Sequence, residues 1–235
     1  SVSGSRTPTD SGADERRWAA LEQWVAHRAG VLWTEDFRSG FENWQSRGDI
    51  SRSWRFDETG FVLPTELAVY RPSADMTDYT MEFLGEADRR ALSWAFRVRD
   101  LKNYYAAKLI VTRPGPLPLI SLRRYMVING RETAARETVL PITVRGGSMF
   151  QVRMEVKGSD FAVHVQDRLV GFWSDSRIPA GGVGFFSNKG EISRIRWLHV
   201  AHQYDVLGRI CAYLSPSVNA SNSNRPFGVG NHGQR

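Results

Sequence analysis

The 235-residue chain carries 31 Lys and Arg against 25 Asp and Glu, a formal net charge of +6, and its 41% hydrophobic content is that of a folded protein rather than a disordered one. A single cysteine, Cys211, excludes an internal disulfide, and no run of about 18 apolar residues marks a bilayer-spanning helix. The basic excess suits an anionic partner, yet Lys and Arg are scattered singly through alternating segments, the pattern of solvated strand faces, and no nucleic-acid partner is expected.

Residues 1–12 are a Ser, Thr, Pro and Gly linker, read as the remainder of a longer chain after processing or downstream of an anchor. An amphipathic stem helix is predicted over 13–30, with Ser11 or Asp14 as N-cap, Asp14 and Glu15 at the positive end of its dipole, and Gly30 as its stop. Trp18, Leu21 and Val25 recur at helical spacing, and Trp24 widens the stripe. That face is expected to dock on the following domain or on a partner.

From Val31 the period changes to two. The segments "VLWTEDF", "SWRFDETGFVL", "LAVYRP", "DYTMEFLGEA", "ALSWAFRVRD", "NYYAAKLIVTR", "LISLRRYMVI", "FQVRMEVKG", "DFAVHVQDRLVGFWSD", "GGVGFFS" and "ISRIRWLHV" each read as a strand or hairpin. Turn signals separate them, among them "DETG", Asn129–Gly130, "RGGS", "KGSD" and the pair Gln166 and Asp167. Many short strands so punctuated predict an antiparallel sandwich or barrel over 31–202. The three prolines of "RPGPLPLI" place that run at an edge or crossing. In "GGVGFFSNKGEISRIRWLHV", read as two strands joined by a glycine-bearing turn, Val183, Phe185, Ile195 and Trp197 have the spacing to fill the space between two sheets, while Gly182 and Gly184 admit a neighbouring backbone. Val206, Leu207, Ile210 and Leu214 predict a short helix over 203–214, with Cys211 an inert thiol in its apolar run, and 215–235 is an extended polar tail.

The succession from "DYTMEFLGEADRRALSWAFRVRDLKNYYAAKLI" to "FQVRMEVKGSDFAVHVQDRLVGFWSDSRIPAGGVGFFSNKGEISRIRWLHV" resembles the concanavalin A-like jelly roll over about residues 32–202. The likeness is to its laminin-G-like branch and to bacterial domains named after 3-keto-disaccharide hydrolase, and it also extends to bacterial envelope proteins with an anchor upstream of a stem helix. It lies in strand pattern and turns, not in an invariant signature. What it implies is an all-β antiparallel jelly-roll sandwich and carbohydrate as a ligand class; with the helices predicted on either side, the fold class is all-β with an N-terminal helix and a short C-terminal helix.

Jelly-roll glucanases of this resemblance use carboxylates in a pattern close to E-x-D-x-E. The nearest match here is Glu82, Glu86 and Asp88 in "MEFLGEAD": Glu86 and Asp88 would share a face and could supply a pair, but Glu82 lies four residues back, Gly85 is expected to interrupt the strand, and an exposed strand end is the commoner reading. The five histidines, His27, His164, His199, His202 and His232, show no convergent zinc spacing, "GGVG" lacks the strand-to-helix context of a dinucleotide loop, and "SDSR" at Ser174–Arg177 is too thin for a calcium loop. No cofactor or metal is therefore expected. Trp94, Arg97, Tyr104, Tyr105, Arg123 and Tyr125 offer stacking faces and forked donors to a sugar or a protein surface. The expectation is a non-catalytic binding or structural subunit of the cell envelope, an accessory piece of a hetero-complex or homo-oligomer near a membrane surface. Its tails would engage other protein subunits through backbone pairing and anchors such as Phe227. A carbohydrate-binding module is the first alternative and a glycoside-acting hydrolase the second.

Overall fold

The computed structural model describes residues 32–113, 118–142 and 149–202. The predicted stem and closing helices and both tails, with Trp18, Leu21, Val25 and Phe227, lie outside the described residues. Those residues form strands β1 (Leu32–Glu35), β2 (Trp44–Gln45), β3 (Arg55–Phe56), β4 (Val62–Leu63), β5 (Ala68–Tyr70), β6 (Tyr79–Arg89), β7 (Ala91–Asp100) and β8 (Asn103–Arg113). They continue with β9 (Leu119–Ile128), β10 (Arg131–Glu132), β11 (Arg136–Val139), β12 (Met149–Lys157), β13 (Asp160–Val165), β14 (Arg168–Ser174), β15 (Gly182–Phe185) and β16 (Ile192–His202). One helical turn, α1 (Ile50–Ser53), is capped by Asp49, whose side chain accepts from the Ser51 N–H.

The strands build two antiparallel sheets. One runs β14-β13-β12-β6-β16-β4-β3 with β1 also on β16, and the other runs β10-β9-β8-β7-β15-β5-β2 with β11 on β9. Consecutive long strands β6 and β7 lie in different sheets, so the chain crosses from one layer to the other as a jelly-roll sandwich requires. Strict alternation sets the inner face: Met81 and Phe83 of β6, Val152 and Met154 of β12, and Phe161 and Val163 of β13 are all fully buried. Each such side chain contributes about 1.5–3 kcal/mol relative to leaving it in water. The second sheet is covered on both sides. Leu92, Trp94 and Phe96 face the main core, while Ala95, Ala106, Tyr125, Val127 and Phe186 form a smaller cluster on the opposite face.

Turn chemistry follows the residues. Asn129 (φ 51°) and Gly130 (φ 78°) connect β9 to β10, and Gln166 (φ 50°) and Asp167 (φ 60°) connect β13 to β14, the doubly left-handed pair that matches strand twist in tight hairpins.

Three expectations are corrected by the sheet register. The glycine-rich stretch is not a hairpin, because β15 pairs with β7 and β5 in one sheet and β16 with β6 in the other. Trp197 does not fill the interior: a register shift between Ile195 and Trp197 inserts Arg196 as an extra residue, turning Trp197 to the outer face and Leu198 inward. Gly85 does not interrupt β6 but lies within it, paired with Phe150 of β12 and Ile195 of β16, and a Cβ there would meet Leu92 Cδ1 at 2.8 Å.

The close approach at β15 is real and specific. A Cβ on Gly184 would lie 2.3 Å from the Ala68 carbonyl oxygen, whereas one on Gly48 meets nothing within 4 Å. Gly184→Ala is therefore expected to lower the urea midpoint by the equivalent of about 1–3 kcal/mol or more, with Gly48→Ala close to wild type. Equal midpoints for the two variants would contradict this packing.

Candidate functional site

The two sheets part along one side, where β9 and β11 of one face β14 of the other. β9 contains adjacent arginines, and alternation sends them apart. Arg123 shares the outer face with Tyr125, whereas Arg124 falls with Leu122 and Met126 toward the interior side. Its guanidinium carbon stands 4.6 Å from the centroid of the Trp173 ring of β14. Arg136 of β11 is the cross-strand partner of Arg124.

Trp173 is held from behind by the core. Its ring centroid is 5.6 Å from that of Phe161, which is 5.1 Å from both Tyr105 and Phe96. The Tyr105 hydroxyl donates to Asp175 Oδ1 at 2.6 Å and accepts from the Ile178 N–H at 3.2 Å. Asp175 also accepts from Arg177, whose Nε lies 3.0 and 3.1 Å from its two oxygens and whose backbone N–H lies 3.0 Å from Oδ1. The Arg177 guanidinium holds the Asp175 carboxyl at about 2 against the opposing effect of burial, with Tyr105 and the Arg177 N–H assisting. Burial and the adjacent Asp175 push the Tyr105 hydroxyl up to about 12. For Arg124, burial and the neighbouring Arg136 charge both lower the pKa.

These groups line an open cleft of about 310 Å³, whose wall is completed by Tyr125, Met126, Thr133, Ala134 and Ser174. The volume is at the lower end of ordinary small-ligand sites, which run from about 300 to 1,000 Å³. Thr133 Oγ1 accepts from the Met126 N–H at 3.2 Å and keeps its own hydrogen for a ligand. Among the described residues three arginines face a single carboxylate here.

Two other hollows are less suited to a ligand. One of about 420 Å³ lies between Phe56 and Trp197, but its cations are engaged: Arg196 donates to the Thr59 and Gly60 carbonyls at 3.0 Å and Arg38 pairs with Asp36 at 3.4 Å. One of about 80 Å³ lies on the outer face of the second sheet beside Lys108, which is buried and bound to Glu191 at 2.8 Å. That hollow is below ligand size.

The six residues singled out in the sequence are dispersed. Trp94 is wholly buried against Phe83, and Arg97, 1% exposed, donates to the Ile178 and Gly158 carbonyls at 3.3 and 2.6 Å, so neither meets solvent. Tyr104 packs against Phe186, and Arg123 pairs with Glu132 at 3.7 Å. Tyr105 reaches the cleft, and Tyr125 borders it while its ring lies on the outer face beside Lys108 and Arg123. Arg124, Arg136, Trp173, Asp175 and Arg177 were missed, although a second arginine in an alternating strand is itself a signal that one must face inward.

Glu82, Glu86 and Asp88 share the outer face of β6 by alternation. Glu82 and Glu86 are four residues apart, about 13 Å along a strand, far beyond the about 5–9.5 Å that glycoside hydrolysis requires. Asp88 lies closer to Glu86, but Glu86 is bound to Arg194 at 2.8 Å and Glu82 accepts from Gln151 at 2.6 Å. Among the described residues no three His, Cys, Asp or Glu gather to hold a metal ion.

No family model matches the sequence, and no curated protein matches it. Solved structures do. The laminarinase catalytic domain from Thermotoga maritima has a TM-score of 0.50 at 9% identity, covering 75% of this chain and 99% of that one. The Crh5 transglycosylase in complex with NAG gives 0.50 at 10% identity, covering 74% and 84%. A carbohydrate-binding module, CBM66, from Bacillus subtilis is 20% identical, with a TM-score of 0.48 over 70% of this chain and 94% of that one. The chain has the jelly-roll fold. At these identities the likeness concerns fold alone, so function has to be argued from the site.

Asp175→Asn tests the clamp. Because the folded carboxyl sits at about 2, below its ordinary 3.8, the native state holds fewer protons than the unfolded chain. Its contribution is present above about pH 4 and lost as pH falls through about 2. The variant is expected to lose about 1.5–3 kcal/mol at neutral pH and to show a shallower acid decline in urea midpoint over that window.

Proposed function

We propose that the domain is a non-catalytic carbohydrate-binding module whose sugar occupies the cleft between β9, β11 and β14. The observation that carries this reading is the union of a core-supported aromatic surface, Trp173, with fixed polar forks at its rim, Asp175 and Arg177 joined to the Tyr105 hydroxyl. Sugars present an apolar C–H face and a ring of hydroxyls, and these two surfaces answer the two demands. Arg177 is largely solvent-facing and keeps N–H donors beyond those given to Asp175, and Thr133 adds a hydroxyl.

Binding is favoured over hydrolysis by the carboxylates. Glycosidase chemistry needs a pair, one with a raised pKa, whereas the cleft lining holds Asp175 alone among the described residues, at about 2. Neighbours sharing the fold include proteins named for laminarin cleavage and transglycosylation, which supports glycan as the ligand class. The envelope-subunit expectation rests on 1–30 and 203–235, outside the described residues, and the cleft is a feature it does not explain. A place at the cell envelope, where glycan is met, fits the module equally.

Titration calorimetry against a panel of soluble neutral and acidic oligosaccharides tests the reading. At least one is expected to bind, and Arg177→Ala and Trp173→Ala, with folding checked by urea midpoint, are expected to weaken it about tenfold or more. Release of reducing ends from the bound sugar, abolished in Asp175→Asn, would replace the module with a hydrolase.

A further inference from the structure

Resting on the sugar-binding reading, we infer that the cleft selects a sugar bearing a carboxylate, a hexuronate, whose anionic group docks between Arg124 and Arg136. The two arginines of β9 differ in one respect. Outward-facing Arg123 pairs with Glu132 at 3.7 Å and stands across the strand from Glu137. Arg124, turned toward the sandwich interior, stands across from another arginine.

Like charges directly opposite on neighbouring strands repel, and partial burial strengthens the repulsion. Among the described residues no carboxylate pairs with Arg124 or Arg136. Asp175, the one acid among the described residues of the cleft, is already clamped by Arg177 and Tyr105. Trp173 fixes Arg124 through its ring face, 4.6 Å from the guanidinium carbon, which leaves the planar edge of donors free. An incoming carboxylate would relieve the repulsion and accept paired N–H bonds from a fork whose shape matches it. Neutral sugar hydroxyls relieve no charge. The cleft is therefore built for a sugar with one negative group rather than for a polyol alone.

The test compares oligouronates of galacto, gluco and manno configuration with their carboxyl-reduced neutral twins, by titration calorimetry on the full chain. At least one uronate is expected to bind about tenfold or more tighter than its twin at low salt, with the ratio falling as ionic strength rises. Arg136→Gln, at an exposed position, and Arg124→Gln are each expected to bring the ratio toward unity, and Arg136→Glu, which gives Arg124 an internal counter-ion, to abolish the preference. Uronate and twin binding equally, or a preference untouched by all three variants, overturns the inference and leaves the sugar-binding reading standing. If no member of either set binds while another oligosaccharide does, the inference falls and the sugar-binding reading stands; if no oligosaccharide binds at all, both fall.

Discussion

Phe161 stands at the junction of four rings, 5.1 Å from Phe96, 5.1 Å from Tyr105 and 5.6 Å from Trp173, and this packing ties the two sheets together at the side where they part. Phe96 and Tyr105 come from one sheet and Phe161 and Trp173 from the other. The column carries the rigidity of the core out to the surface. Tyr105 and Trp173 are thus at once interior packing groups and walls of the cleft, which fixes the Asp175–Arg177 fork relative to the aromatic surface. A site made in this way is pre-organised by the fold, and a ligand meets little ordering cost there.

Much of the architecture was legible because a two-residue period leaves a plain trace. Met81 and Phe83, Val152 and Met154, and Phe161 and Val163 alternate with outward polar residues, and burial follows that alternation. Asn129–Gly130 and Gln166–Asp167 announced their hairpins because both positions of such a turn demand a left-handed backbone. The features that escaped depend on what lies across from a residue. The extra residue Arg196, which turns Trp197 outward, leaves no local mark, and Gly85 looks like an interruption until its neighbours Leu92 and Ile195 are in place.

The site was less legible for the same reason. Trp94 and Tyr105 look alike in an alternating strand, yet one is sealed beneath Phe83 and the other reaches a cleft, because the second sheet ends near β9 and not over β7. Arg97 looked like a ligand-binding fork, but its positive φ of 47° turns it into the interior, where two backbone carbonyls take its donors. Aromatic and arginine content alone does not separate packing from recognition. Position at an open margin between the layers does.

The clamped Asp175 has a consequence for the cleft as a whole. With its carboxyl at about 2 and the Tyr105 hydroxyl at about 12, the two acids at the rim change charge only at the extremes of the pH scale. Arg177, whose pKa the Asp175 carboxylate raises, stays cationic between them. Across mild conditions the clamp at the rim is electrically constant, so a step in a binding curve against acidity in that range does not originate in it.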